Sequence, residues 1–599
     1  AGLAAAVEAG QQAQQPPLAQ HINRRRCAGI GRHGHDTGRR ETAGQAQQRT
    51  VSLQVGEAMP APTRLTLRAS MAVRMGGKVS VRAWPTLPDG DEVESIQWSQ
   101  PEGPTVELDT RDDHVALFVA PDVRRDTLIR LRAALRSKAG RTASDEVMVL
   151  VEHHVQAAAE DVNASWSGEH VSRVHAYRAD GPYARLLVRC VYDTNQRWDG
   201  TGQPPCSLTE LPLLAQDAPG GQPTIEQVMN RVVVSHDWLG RNFETFLRTQ
   251  DPQGDLRRML SSVTAVVIST GIRPSFYWAG TGAIYLDGDN FWLTPEERDT
   301  VNEAPDYRSD FDNGLAYSDV WRYVEGNQSI FAHFDARQRV TRTGTDLRNE
   351  AARLMFHELG HALDFIPPGL YKNLDHRSGV WANISLRYST RQLTSDTVPA
   401  RYPLTSSALI GLAQVKYQGV EATPEQRLFG PDEIGAMFAA DLATDDYSYS
   451  TSREDVAMTL EEVLMSTRLG IRRDTAFTDR IDRSGTTSPI VHWGQRGRVG
   501  EPAIRPRAKE VVRQLVPWLD PAVVDGLAPP LAMRIGETWK DNLVQPGPSR
   551  MARALSARPA WLDDAEWQRE LRHMRRQHRE KRLPPLPGGS VVTGEAASR

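Results

Sequence analysis

The 599-residue chain is poor in cysteine, lacks long apolar runs and carries almost no net charge. Each shortage excludes something. No stretch reaches the roughly 18 apolar residues that a bilayer-spanning helix needs. A formal net charge of −4 provides no global field for nucleic acid or an anionic membrane surface. There is no glycine-rich phosphate loop and no serine or cysteine nucleophile motif. The opening AGLAAAVEAG has no charged stretch followed by an apolar one, so no secretion signal is visible in it. Of three cysteines, only Cys190 and Cys206 lie close in sequence, in VRCVYDTNQRWDGTGQPPCSL. A disulfide there would close a short polar loop and stabilise it by roughly 3 kcal/mol. Such a pairing implies an oxidising compartment, so a secreted, periplasmic or cell-surface location is expected. Cys27 has no evident mate.

What remains is ordinary globular material, 39% hydrophobic and 24% charged, too long for one core. Residues 1–50 are rich in Gln, Ala, Gly and Arg and cannot bury enough surface to offset chain entropy, which predicts disorder. Residues 51–152 alternate apolar and polar at period two, as in KVSVRAWPTL and LIRLRAALRS, with turns at LPDGDE and KAGRT. This predicts an all-β sandwich, and its pattern resembles the Ig-like or PKD-like modules beside secreted catalytic domains. Residues 153–222 are expected to hold a hairpin at VHAYRADGPYARLLVRCVYD, the disulfide loop and a Pro/Gly linker. Residues 223–520 mix helical spacing, as in TIEQVMNRVVVSHDWLGRNFETFLRT, with short strands such as TAVVIST and AIYLDGDNFWLT, predicting an α+β domain. Residues 521–599 read as a helical, basic, partly disordered tail.

The chemistry concentrates in RLMFHELGHALDF, residues 353–365. A helix is predicted through this run, stopped by Pro367 and Pro368. At about 3.6 residues per turn, His357 and His361 share a face, one turn apart. Two imidazoles so placed can reach one Zn²⁺ at about 2.0–2.1 Å. Glu358, one step round the helix, can take a proton from zinc-bound water, whose pKa the metal lowers to about 7. Every fixed position of H-E-x-x-H therefore has a chemical role. Gly360 lets another backbone come close, and Asp364, one turn beyond His361, can orient a ligand imidazole.

A hydrolytic zinc takes three protein ligands and leaves one position for water. The pattern H-E-x-x-H-x-x-G-x-x-H fails, because the chain has Asp364 and Pro367 where it needs Gly and His. A nearby downstream glutamate fails too, since no Glu lies between Asp364 and Val420. His376 comes soon after, but in the loop-like NLDHRSG. The remaining source is DDYSYSTSREDVAMTLEEVLMST, where residues 450–452 can cap a helix running through Met465. Glu454 falls in its first turn, and Ala457 and Glu461 lie on the same face.

HELGHALDF, succeeded at a distance by Tyr447, Glu454 and Ala457, resembles the zincin metallopeptidases of the anthrax lethal factor type, over about residues 225–470. The resemblance implies zinc ligands His357, His361 and Glu454, with Glu358 as base and Tyr447 assisting catalysis. The family helix reads E-x-F-A-E, whereas this chain has Glu454, Asp455, Val456, Ala457 and Met458. Glu461 stays open as the alternative ligand and Tyr449 as the alternative tyrosine. A hydroxyl aimed at the developing oxyanion would stabilise the tetrahedral intermediate. The strand at AIYLDGDNFWL is a candidate edge for pairing with an extended peptide. The expected fold is thus multidomain, a sandwich and then an α+β zincin-like domain. The expected function is zinc-dependent hydrolysis of a protein or peptide substrate, with no nucleic-acid partner and no membrane span. The alternatives are a secreted binding or adhesion protein whose β-modules act, and hydrolysis of a non-peptide amide.

Overall fold

The computed structural model describes residues 62–70, 72–153, 173–192, 196, 204–218, 222–304, 314–331, 339–481 and 488–545. The polar segment 1–50 and the basic run beyond Ser549 lie outside these residues. Eight strands come first: β1 (Arg64–Ala69), β2 (Ala72–Arg74), β3 (Lys78–Thr86), β4 (Val93–Glu102), β5 (Asp109–Asp112), β6 (Val115–Val119), β7 (Thr127–Ser137) and β8 (Thr142–Glu152). They form two four-stranded sheets, ordered β1-β3-β6-β5 and β2-β8-β7-β4. The period-two pattern explains them. In β7, Ile129, Leu131, Ala133 and Leu135 are buried while Arg132, Ala134 and Arg136 between them are exposed. Leu65 and Val81 of one sheet share a single core with Leu131 and Val149 of the other.

Side chains near residues 299–339 lock this β region to the rest of the chain. Trp84 Nε1 donates to Asp299 Oδ1 at 2.7 Å, and the Arg339 guanidinium lies 4.7 Å from the Trp84 ring and 2.8 Å from Asp299. Arg82, buried, pairs with Glu303.

The next part mixes helices and strands: β9 (His175–Ala176), α1 (Ala184–Val191), β10 (Val232–Val234), α2 (Asp237–Gln250), β11 (Val266–Ser269), β12 (Phe276–Trp278) and β13 (Ala283–Asp287). The sheet order is β12-β13-β11-β10-β9. The three central strands run parallel and the two edges antiparallel. Then come β14 (Tyr317–Glu325), β15 (Gln328–Ser329), α3 (Gly344–Phe365), α4 (Ser407–Gln418), α5 (Ser452–Leu469), β16 (Arg472–Asp479), β17 (Val491–Arg496), α6 (Arg505–Leu515) and β18 (Leu531–Ala532). A second, antiparallel sheet takes the order β15-β14-β16-β17-β18. The chain is multidomain, with an N-terminal β region and both sheets and helices beyond it.

Several local expectations change. The hairpin at 174–193 is instead the short β9 and the helix α1, because Leu187, Cys190 and Val191 repeat at helical spacing and bury together. The linker is no linker: Leu208, Leu211, Leu213 and Leu214 are buried in the main core. Three consecutive valines, Val232–Val234, interrupt the helical run after residue 224 as a central strand, as β-branched side chains favour. Strand β13, the candidate edge for a peptide, is internal instead, paired with β11 and β12. Residues 521–545 are not tail: β18 pairs with β17 and Trp539 is fully buried.

Cys190 and Cys206 are joined in a disulfide. Their sequence separation of 16 sets the closed loop. Replacing both by serine (Cys190→Ser, Cys206→Ser) is expected to lower unfolding free energy by about 3 kcal/mol. Urea denaturation of the variant beside the wild type measures it; equal midpoints would show that the cross-link constrains nothing.

Candidate metal centre

Helix α3 begins with a capping box. Thr343 Oγ1 accepts from Asp346 N at 3.2 Å, and Asp346 Oδ2 accepts from Thr343 N at 2.7 Å. From Ala351 to Phe365 nearly every residue is buried, which a helix tolerates only when it is packed on all sides. Helix α5 is one of its covers. Its cap is Thr451, whose hydroxyl accepts from Glu454 N at 3.1 Å, and it ends at Gly470 with φ 70°. Behind it, Asp455 pairs with the buried Arg507 of α6. The two helices meet at Gly360: a Cβ there would lie 3.4 Å from Ala457 Cα and 3.5 Å from Leu460 Cδ2.

This contact sets Glu454 against the histidines. Its Oε2 lies 3.0 Å from His357 Nε2 and 3.3 Å from His361 Nε2. The imidazole rings are 4.9 Å apart, nearly perpendicular. One ligand atom from each of the three residues falls within 4.8 Å of the others, and all three residues are buried. Two imidazole nitrogens and a carboxylate oxygen converging in a buried cradle suit a divalent cation.

The surrounding charges are not symmetrical. Burial opposes the charge on His357, but its hydrogen bonds to Glu454 and Glu461 outweigh this and lift the imidazole to about 10. Burial likewise opposes charge on Glu454, and the two histidines overcome it, holding the carboxyl well below its usual range. Glu358 differs: burial pushes its pKa up, and the neighbouring imidazoles only moderate this. Its Oε2 is buried without a hydrogen bond.

The alternative residues lie in different places. Glu461 touches the other edge of the ring, with Oε2 3.1 Å from His357 Nδ1. Only Glu454 joins the three-residue group. Tyr447 stands in the turn before α5, its ring stacked 6.3 Å from that of His357 and edge-on to Tyr417 at 4.9 Å. Tyr449 is buried instead against Phe438. His376 is exposed, with Nε2 3.0 Å from Gln216 Nε2, outside the group. Asp364 does not orient a ligand: its Oδ1 accepts from Ser395 N at 2.9 Å and its other oxygen has no hydrogen bond.

Sequence reasoning missed the support behind Glu461. Tyr323 of β14 donates to Glu461 Oε1 at 2.6 Å, and Arg353 and Arg473 lie 3.9 Å from its oxygens. Next to it, Glu462 is buried with both oxygens lacking hydrogen bonds; burial raises its carboxyl to about 8 against the pull of Arg473.

No family model matches the chain, and no curated protein matches it. Among solved structures, similarity is slight. A nucleoside hydrolase-related hypothetical protein from Saccharophagus degradans is 16% identical over 15% of this chain, with a TM-score of 0.14. The chain spans only 26% of that protein's length. The PKD domain of the KIAA 1837 protein is 14% identical over 15% of this chain and 92% of its own, at a TM-score of 0.12. Murine CRIg is 8% identical over 15% of this chain and 98% of its own, at 0.13. None of these carries an argument about fold or chemistry.

Gly360→Ala should keep metal binding, since its methyl just fits, whereas Gly360→Leu should drive α5 away and abolish it, as read by zinc titration. For Glu462, the folded protein holds a proton that the unfolded chain has released between its ordinary 4.5 and about 8. Its contribution therefore declines as pH rises across that window. Glu462→Gln should raise the melting temperature above wild type at mildly alkaline pH and change it little in acid; parallel melting curves at both would contradict this.

Proposed function

We propose that the protein is a secreted zinc-dependent endopeptidase. The observation that carries this is the pairing of a buried His357–His361–Glu454 cradle with a neighbouring buried carboxylate, Glu358, that has no hydrogen bond or ion pair among the described residues. A carboxylate left without a hydrogen bond beside the cradle is able to accept a proton there.

His357, His361 and Glu454 would hold the ion. Zinc supplies Lewis acidity, which polarises a carbonyl and lowers the pKa of water to about 7. Glu358 accepts a proton from the attacking water and returns it to the leaving amine. Burial disfavours the charged form of its carboxyl, which favours acceptance of the proton. The Tyr447 hydroxyl donates to the carbonyl oxygen as that atom gains charge. The Cys190–Cys206 bridge supports an extracellular or periplasmic setting. Among the described residues no helix is long and apolar enough to cross a membrane.

Glu358→Gln should retain stoichiometric zinc yet lose about 10²–10⁴-fold in casein cleavage. His361→Ala should lose both. Tyr447→Phe should retain zinc and lose about 10²-fold or more in turnover. Metal analysis beside an endpoint protease assay separates the three; full activity in Glu358→Gln would sink the assignment.

A further inference from the structure

The ring of His357 is held at both nitrogens. Nε2 faces Glu454 and the cradle, while Nδ1 faces Glu461. The two ring nitrogens point to opposite sides, so Glu461 cannot share an ion held through Nε2. It is nonetheless the most buried acid of the site, fully shielded from solvent. A buried carboxylate needs a reason to be there, since its desolvation is costly unless it is paired. Here three elements provide partners: Tyr323 from β14, Arg473 from β16 and Arg353 from α3 itself. Arg473 lies 3.9 Å from Oε1, the oxygen that Tyr323 holds, and Arg353 lies 3.9 Å from Oε2, the oxygen that faces the ring, so both guanidinium groups supply charge from beyond hydrogen-bond distance. Arg473 is in turn anchored by Asp445 and by the Trp321 ring, 4.2 Å away.

We infer that Glu461 is a positioning residue for the metal ligand His357: it accepts a hydrogen bond from Nδ1–H, fixes the tautomer that leaves Nε2 free for the ion, and sets the ring's angle, with Tyr323 holding the carboxylate in place. This rests on the metal-dependent reading above but not on peptide hydrolysis. The physical effect is twofold. An acceptor at Nδ1 removes the competing tautomer, in which Nε2 carries the proton. It also increases the basicity of the coordinating nitrogen. The acid is matched in sequence to the ligand it supports. Glu454 and Glu461 are seven residues apart on α5, two turns along one face, so one helix presents an acid to each edge of the same ring.

The test uses the full chain, with zinc affinity measured by competition against a chromophoric chelator. Glu461→Ala should weaken binding by about 100-fold and Glu461→Gln, which keeps an acceptor oxygen, by about 10-fold, the range over which such outer partners act. Tyr323→Phe, which removes one hydroxyl and little volume, should shift affinity in the same direction by less and serves where the Glu461 variants fold poorly. The visible spectrum of the cobalt-loaded Glu461→Gln protein should match that of the wild type, because the ligand set is unchanged. A changed cobalt spectrum would make Glu461 a ligand, and unchanged zinc affinity with a lowered melting temperature would make it merely structural; either overturns the inference. Wild type that binds zinc but cleaves no peptide would remove the endopeptidase reading and leave this one standing.

Discussion

The contact between α3 and α5 at Gly360 and Ala457 is the constraint on which the site depends. Glycine within a helix costs about 1 kcal/mol relative to alanine. What is gained is proximity. A large side chain at this crossing would separate the helices, and Glu454, one turn before Ala457, would no longer reach the imidazoles at 3.0 and 3.3 Å. The neighbouring apolar residues, Leu359, Leu363, Leu460 and Val463, are all buried in the main core and fix the same approach. Hydrophobic packing thus supplies the position, and the polar groups use it.

Packing alone would not keep so many ionisable groups in a dry interior. The site is built in alternating layers of charge. The histidines face Glu454 and Glu461; beyond Glu461 stand Arg353 and Arg473; beyond Arg473 stands Asp445. Lys416 joins the outer layer through Asp319, at 2.5 Å, and Asp446. Each layer offsets the desolvation of the one inside it. The acids left over mark where this balance is incomplete. At Glu462, burial raises the carboxyl to about 8 against the pull of Arg473. Glu358, beside the histidines, likewise has a buried oxygen without a hydrogen bond.

The sequence made part of this legible. The first helix could be read through RLMFHELGHALDF, because the periodicity and the paired prolines agree, whereas its cap at Thr343 was shown only by the structure. The second helix and its first-turn Glu454 were legible from the cap and the acid, but choosing between Glu454 and Glu461 was not. Both lie on one helical face, and only the rotation of the His357 ring distinguishes them. Tyr323 and Arg473 were invisible for a different reason: they come from β14 and β16, strands paired across a separation that no local period encodes. The errors at β10 and α1 were of another kind. Short buried segments are apolar on all sides, so Val232–Val234 carries no alternation by which to tell strand from helix.

The wide spacing of the site's parts has a consequence for how it forms. His357 and Glu454 are 97 residues apart, and Tyr323 and Glu461 are 138 apart. No local segment can assemble the cradle; it exists only once α3, α5 and the sheet carrying β14 and β16 have docked. A buried acid pair on α5 is unfavourable until the histidines and arginines arrive, so the helix gains its polar partners and its apolar cover in one step. The site and the core around it therefore form together, and an ion bound there would stabilise the whole packing arrangement rather than a loop.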